Sequence, residues 1–327
     1  MPPEVPSAAS LPTPAPVPPR ASNGQAMRAG LQAFMAQAAQ GRLPIAGLAA
    51  SPSGMARADG HFHLGAELFL QLGGQTHFRM PHAEVQLQPQ QALVMPPRTL
   101  HHETVQDGAQ AFANIVIYAD SQLLSCHLAF QESPGRPGIL HLEQCRDSEA
   151  ARIQGWLADA ALPPPQDGAG TWELQQRALV LTVLAAVRRL LDAPGSAERA
   201  GPPLLAKLGV LLQNRLGEPE LTVAGLAHSL GCSADYLSHL YGKHHGEHLR
   251  AAIQRLRLAR AARLLEEGEL AVKEVAWSCG FGSASYFIRS FQQAYGCTPK
   301  SYQMRHSSAA GQPQAASAPL GAANYTQ

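Results

Sequence analysis

Two histidines flank one phenylalanine, His61-Phe62-His63, and Glu67 follows four residues later. On an extended strand His61 and His63 share a face, and Glu67, two alternations on, joins them if the strand stays regular. His101, from a second strand, completes a set of three imidazoles and one carboxylate. Such a set suits Fe, Mn, Ni or Zn. The same side chains also suit the polar mouth of a β-barrel, where they bind an organic molecule or hydrogen-bond each other. Arg79, His82, Arg98 and His102 lie close enough in sequence to line that mouth. Both uses stay open on the residues alone.

A second set sits near the carboxyl end. Ser233-Ala234-Asp235-Tyr236-Leu237-Ser238-His239-Leu240-Tyr241 runs to Gly246, and Ser283-Ala284-Ser285-Tyr286-Phe287-Ile288-Arg289-Ser290-Phe291 runs to Gly296. Each copy follows Ala-x-x-x-Gly, Ala227 to Gly231 and Ala276 to Gly280. A small residue, a tight glycine turn and a Ser-capped second helix are the parts of a helix-turn-helix. Helical period turns Tyr236, Leu237, Leu240 and Tyr241 inward in the first copy and Phe287, Phe291 and Tyr295 inward in the second. Asp235, Ser238, His239 and Lys243 then face out, as do Ala284, Ser285, Ile288, Arg289 and Gln292. Arg289 is suited to bidentate pairing with guanine. Ser233, Tyr236, Ser283, Tyr286 and Lys243 suit phosphates, with the two tyrosines equally placed to be core residues that keep a hydroxyl at the rim.

The elements that position these groups fall into two textures. Leu68–Leu72, His77–Met80, Val85–Leu87, Ala92–Met95 and Ala113–Tyr118 are short strand-like runs, punctuated by Gly73-Gly74, Pro81, Pro89, Pro96-Pro97 and Asp107-Gly108. They predict a β-sandwich or small barrel. From about 145 the pattern is helical: Ser148–Ala161, then Trp172–Leu191 with Leu174, Ala178, Leu181, Leu184, Ala185 and Leu191 at three-to-four spacing. Helices follow at Leu204–Leu216, Val223–Leu230, Ser233 to about His244, Glu247–Glu267, Val272–Cys279 and Ser283 to about Tyr295, with a last turn at Pro299–Tyr302.

The organisation expected is a Pro-rich disordered tail over 1–24, a β-rich domain over 25–142, a helical dimerisation or linker region over 143–193 and a linker over 194–203. A DNA-binding domain follows over 204–306, with helix-turn-helix units at about 222–245 and 272–295, and a loose tail over 307–327. The first nineteen residues hold eight prolines and one charge, Glu4, which lacks the basic start of a secretory signal. No apolar run approaches the roughly 20 residues of a membrane span. Five scattered cysteines without a Cys-x-x-Cys pair argue against a disulfide framework and fit a reducing cytoplasm. Residues 204–306 carry 12 Lys/Arg against 8 Asp/Glu, a net +4, while the rest holds 13 against 16, a net −3. A modest excess of this kind argues against a nonspecific DNA-organising protein, which leans on many phosphate contacts.

Residues 204–305 resemble the AraC/XylS family of bacterial transcription regulators. The resemblance rests on Arg257-Leu258-x-x-Ala261-x-x-Leu264-Leu265 and on Val275-Ala276-x-x-x-Gly280-Phe281-x-Ser283-x-Ser285-Tyr286-Phe287-x-Arg289-x-Phe291. Gly296-x-Thr298-Pro299-x-x-Tyr302 closes it. It implies two helix-turn-helix units joined by a rigid helix, all-α, with an effector or dimerisation domain in front. His239 and Gln303 stand where the family often has arginine. Gly60-His61-x-His63-x(3)-Glu67-x(6)-Gly74 followed by Pro96-x-Arg98-x-x-His101 is similar to the cupin pattern, which implies a jelly-roll barrel. Gln90 and Arg98 replace two of its glycines, and Val105 its closing asparagine.

The leading expectation is a sequence-specific regulator, more often an activator in that family, working with RNA polymerase at double-stranded promoter DNA. A small-molecule effector would bind in a pocket formed by His61, His63, Glu67, His101 and Arg98, and the chain would act as a homodimer without a cofactor or catalytic residues. A divalent metal on His61, His63, Glu67 and His101 is the less favoured use of that pocket. The rival reading is a metal-dependent cupin enzyme with a C-terminal helical module.

Overall fold

Ser22 opens the first helix, α1 (Asn23–Ala39), through a capping box: its hydroxyl accepts from the Gln25 amide and the Gln25 side chain accepts from its own. The computed structural model describes residues 22–50, 60–165, 169–193, 202–268 and 270–310. Of the tail expected over 1–24, residues 1–21 lie outside the described residues and Asn23 and Gly24 belong to α1. Of the linker expected over 194–203, residues 194–201 lie outside and Pro203 opens a helix; of the tail expected over 307–327, residues 311–327 lie outside.

Among the described residues nine strands follow α1: β1 (Ala49–Ala50), β2 (Glu67–Gly73), β3 (Gln75–Arg79), β4 (Ala83–Leu87), β5 (Ala92–Met95), β6 (His102–Gln106), β7 (Ala113–Ala119), β8 (Leu123–Ser133) and β9 (Arg136–Arg146). They form two antiparallel sheets, ordered β1-β4-β3-β6 and β5-β2-β7-β8-β9. Alternation sorts the larger sheet into two faces. Phe69, Leu93, Met95 and Val116 pack with Phe78, Val85 and Leu87 of the smaller sheet. Leu68, Leu70, Ile115, Ile117, Leu124 and Leu128 look the other way, toward α1, α2 (Ala150–Ala160) and α3 (Ala169–Asp192). The helical texture expected from about 145 begins later, because β9 runs through Arg146, past the boundary expected at 142.

The buried stripe of α3 is Val180, Val183, Leu184, Val187 and Leu190, which pack on the sheet and on α1 and α2. Leu174, Ala178 and Ala185, expected on the apolar face, are exposed, and Leu181 is half-buried. The sequence holds two apolar stripes here, and β-branched Val180, Val183 and Val187 take the core. No helix among the described residues is long and apolar enough to cross a membrane.

The remaining helices are α4 (Pro203–Arg215), α5 (Val223–Ser229), α6 (Ala234–His245), α7 (Leu249–Glu267), α8 (Val272–Ser278), α9 (Ala284–Tyr295) and α10 (Pro299–Ala310). α10 is a full helix rather than the single turn expected, and it carries the chain past the expected end of order at 306. α7 supplies Leu249, Ala252 and Ile253 to one core and Leu258, Ala261, Leu264 and Leu265 to another. Arg257, between these groups, donates to the carbonyls of Leu216 (3.0 Å) and Glu218 (2.5 Å), just past α4.

Gly231 and Gly280 occupy the two turns with φ of 67° and 77°. A Cβ on Gly231 would meet nothing within 4 Å, whereas one on Gly280 would lie 2.6 Å from the Leu216 carbonyl oxygen and 2.8 Å from Arg257 Nη2. We therefore expect Gly231→Ala to cost about 1–2 kcal/mol, the left-handed penalty alone. Gly280→Ala adds a backbone clash, worth about 1–3 kcal/mol more. Urea unfolding of the two variants checks the ranking, and equal losses would show that the Gly280 contact is not tight.

Candidate functional site

Two places gather polar side chains. The first is the pair of capped helices α6 and α9. Ser233 Oγ accepts from the Tyr236 amide (3.2 Å) and Ser283 Oγ from the Tyr286 amide (3.4 Å), which fixes where each helix begins. Gly246 and Gly296 end them in the left-handed region, with φ of 70° and 71°. The equivalence of the two units read in the sequence is therefore repeated in their caps.

Leu237 and Tyr241 of α6, and Phe287 and Phe291 of α9, point into their cores. Asp235, His239, Lys243, Ser285, Arg289 and Gln292 are exposed, while Ser238 and Ala284 are half-buried. Tyr236, placed on the inward stripe by helical period, is 55% exposed, and Tyr286 is 47% exposed. At the first turn of each helix there is no preceding core to cover the ring. Tyr295, also expected inward, lies at the rim, 37% exposed, with its ring stacked on Phe291 at 4.4 Å. Sequence reasoning missed Arg250 and Gln254. They line a cleft of about 480 Å³ between the two units, together with Thr222, Arg257 and Tyr286. Their signal was present: both are polar and four apart, so they share a helix face.

The second place is the histidine pocket. His61 and His101 pair through their backbones in an isolated antiparallel bridge, with both N–H···O distances 2.9 Å. One ring nitrogen each of His61, His63 and His101 falls within 4.8 Å of the others. The regular strand expected through His61, His63 and Glu67 is absent, because β2 starts only at Glu67. Glu67 Oε2 therefore reaches His63 Nε2 alone, at 3.4 Å. The carboxylate beside the other two is Glu103, 3.6 Å from both His61 Nε2 and His101 Nε2. Period two from His101 along β6 was the signal that could have found it. Arg98, expected in this pocket, is exposed. It sits at φ 63°, where its amide donates to the His63 carbonyl (2.7 Å).

Burial holds the imidazoles of His61 and His63 far below their ordinary range, helped by His101 nearby. Burial, then the Glu103 charge, holds the Glu67 carboxyl well above its own. His101 Nδ1 lies 2.8 Å from the Thr99 carbonyl, so it carries the hydrogen and Nε2 keeps its lone pair. His61 Nε2, His101 Nε2 and Glu67 Oε2 are buried with no hydrogen-bond partner. Orphaned imidazole nitrogens beside carboxylates are the donor set a transition-metal ion accepts, so these residues fit a metal. His63, Glu67 and Glu103 also border the space between the sheets, together with Asn114, His127 and, from α4, Asn214. Both polar atoms of the Asn114 side chain lack a partner there.

Comparison with known proteins agrees with the first site. Residues 226–305 match the helix-turn-helix domain family. The chain is 30% identical over 128 residues to the uncharacterized HTH-type transcriptional regulator YpdC of Escherichia coli, covering 39% of this chain and 45% of YpdC. It is 31% identical over 115 residues to the HTH-type transcriptional regulator GlxA of Rhizobium meliloti, 35% of each chain. A solved DNA-binding transcriptional dual regulator from Escherichia coli K-12 is 30% identical, with 33% of this chain and 95% of that one covered and a TM-score of 0.30. The chain spans less than half the length of either curated relative. The C-terminal segment is thus an AraC-type helix-turn-helix DNA-binding domain.

Half-buried His127 sets a pH response. Burial lowers its imidazole to about 4, below the ordinary 6.5. The unfolded chain takes up this proton first on acidification, so the stability is intact above pH 6.5 and lost as pH falls toward 4. His61 and His63 act in the same direction. We expect the melting temperature to drop across that window and His127→Leu to flatten the drop. An unchanged pH slope in the variant would place His127 in solvent.

Proposed function

We propose that this protein is a sequence-specific transcription regulator, with the AraC-type domain reading promoter DNA and the β-rich region acting as its sensor. The observation that carries the reading is the repeat itself: two Ser-capped helices, each closed by a left-handed glycine, each with its polar face left in solvent. A nonspecific binder needs charge. A reader needs equivalent side chains on equivalent helices, and that is what the repeat supplies.

In this reading His239 and Arg289 approach base edges, while Ser233, Asp235, Tyr236, Ser238, Lys243, Ser283, Ala284, Ser285 and Tyr286 position the helices against the backbone. Arg250 and Gln254 face the stretch between the two units. The β-region is a cupin-like barrel, and its effector binds among His61, His63, Glu67, His101 and Glu103, against Asn114 and His127. The orphaned polar atoms there support a ligand that supplies what the protein does not. Asn214 brings α4 to the same space, so a ligand in it touches the helix that opens the DNA-binding region. The exposed residues Leu174, Ala178 and Ala185, beside half-buried Leu181, support a homodimer through α3, since a self-complementary helix face pairs by two-fold symmetry. Activation through RNA polymerase in the cytoplasm completes the proposal. The three-histidine cluster favours one rival, a metal-dependent cupin enzyme, and turnover by the metal-loaded protein in the absence of DNA binding would establish it.

The test is binding to fragments recovered by genome-wide mapping of occupied sites, followed by substitution. Arg289→Ala should weaken the specific fragment by about 1–3 kcal/mol and a scrambled one much less. Equal loss on both would make Arg289 a phosphate contact, and no binding to any mapped fragment would overturn the regulator reading.

A further inference from the structure

Phe62 lies between two histidines of the sensor pocket, but its ring belongs to the second helix-turn-helix unit. It is 4% exposed and shares a core with Leu258, Ala261, Val275, Phe281 and Phe287. Leu100, next to His101, packs on the same core. Each segment that carries a pocket histidine therefore carries an apolar neighbour into the reading unit. On the other side of Phe62, the Arg260 guanidinium carbon lies 3.3 Å from the ring centroid. Arg260 is 4% exposed, and its Nε and Nη2 have no hydrogen-bond partner, so the aromatic face is what receives this cation.

The buried ring nitrogens and the carboxylates present acceptors to the pocket. His61 Nε2 and His101 Nε2 are buried and unpartnered, and the Glu103 carboxylate stands 3.6 Å from each. Imidazoles with one carboxylate select Fe, Co, Ni or Zn over the hard ions, which prefer oxygen throughout. The cavity bordered by His63, Glu67 and Glu103 is small, about 40 Å³, which suits an ion with a water better than a sugar-sized molecule.

We propose that His61, His63, His101 and Glu103 bind a divalent transition-metal ion, and that the second helix-turn-helix unit reads its occupancy through Phe62 and Leu100. The proposal rests on the regulatory reading above and names its effector. Drawing the ring nitrogens from within 4.8 Å of one another to the roughly 3.4 Å spacing that tetrahedral bonds of about 2.1 Å impose moves the segments at 61–63 and 99–101. The His61–His101 bridge makes them move together, and Phe62 and Leu100 move with them. A close-packed core does not deform smoothly, so a small shift is taken up as a change of docking. The ion also places positive charge across Phe62 from Arg260, which weakens the contact.

The experiment uses the full chain, stripped with chelator and titrated with Co²⁺ and Zn²⁺. One ion per chain is expected, with loss of binding in His61→Ala and His101→Ala and about 10–100-fold weaker binding in Glu103→Gln. Loading should speed amide hydrogen exchange in α8 and α9 and shift affinity for a mapped DNA fragment at least about fivefold. Phe62→Ala should keep the ion and lose both responses. Phe62→Leu, which leaves an apolar side chain in the core, repeats the test if the alanine variant does not fold. Absence of stoichiometric Co²⁺ or Zn²⁺, or a metal response unchanged in both Phe62 variants, overturns the proposal. If no DNA fragment is bound with or without metal, the regulator reading fails, while metal stoichiometry and exchange still decide the link.

Discussion

The helix α7 is the constraint on which the arrangement depends. Its first turns fill one helix-turn-helix core and its last turns fill the other, so the two units cannot rotate independently without opening a core. Arg257 adds a polar lock. Its guanidinium satisfies two carbonyls beyond the end of α4, where the helix leaves acceptors without intrahelical partners. Gly280 fits against that lock because it has no side chain. The spacing between α6 and α9 is thus set by packing along one rod. A chain whose net charge is only +1 thus holds α6 and α9 at fixed separation. Affinity built from many phosphate contacts needs no such rod, whereas readout of separated base edges does.

The helical half was legible because its signals are local. Ser233, Ser283, Thr222, Gly246 and Gly296 each mark an end through one residue's chemistry, and every one of them acts as a cap in the structure. The sheet half was legible only where runs were apolar. β8 and β9 carry His127, Gln131, His141 and Glu143 in positions that tertiary pairing, not pattern, makes extended. The histidine pocket was half legible. The three imidazoles were found by type, but the choice between Glu67 and Glu103 depended on an irregular stretch between His63 and Glu67. Long-range pairing of His61 with His101 creates that irregularity, and no period in the sequence encodes it.

Arg98 and Gln90 show how the pocket is held. Both sit at positive φ, 63° and 68°, in places where the resembled pattern has glycine. A non-glycine residue there costs about 1–2 kcal/mol, so the surroundings must impose the turn. They do so through backbone bonds: the Arg98 amide to the His63 carbonyl (2.7 Å) and the Gln90 amide to the Gln71 carbonyl (2.8 Å). The first of these bonds anchors the segment that carries His61 and His63. The strained turn at Arg98 thus holds His63 through its carbonyl. The unpartnered nitrogens of His61 and His101 bear on the same pocket. A core that needed only stability would have filled these positions with apolar side chains, and this one keeps three imidazoles and two carboxyls beside Phe62, which packs on α7, the helix that fills both helix-turn-helix cores.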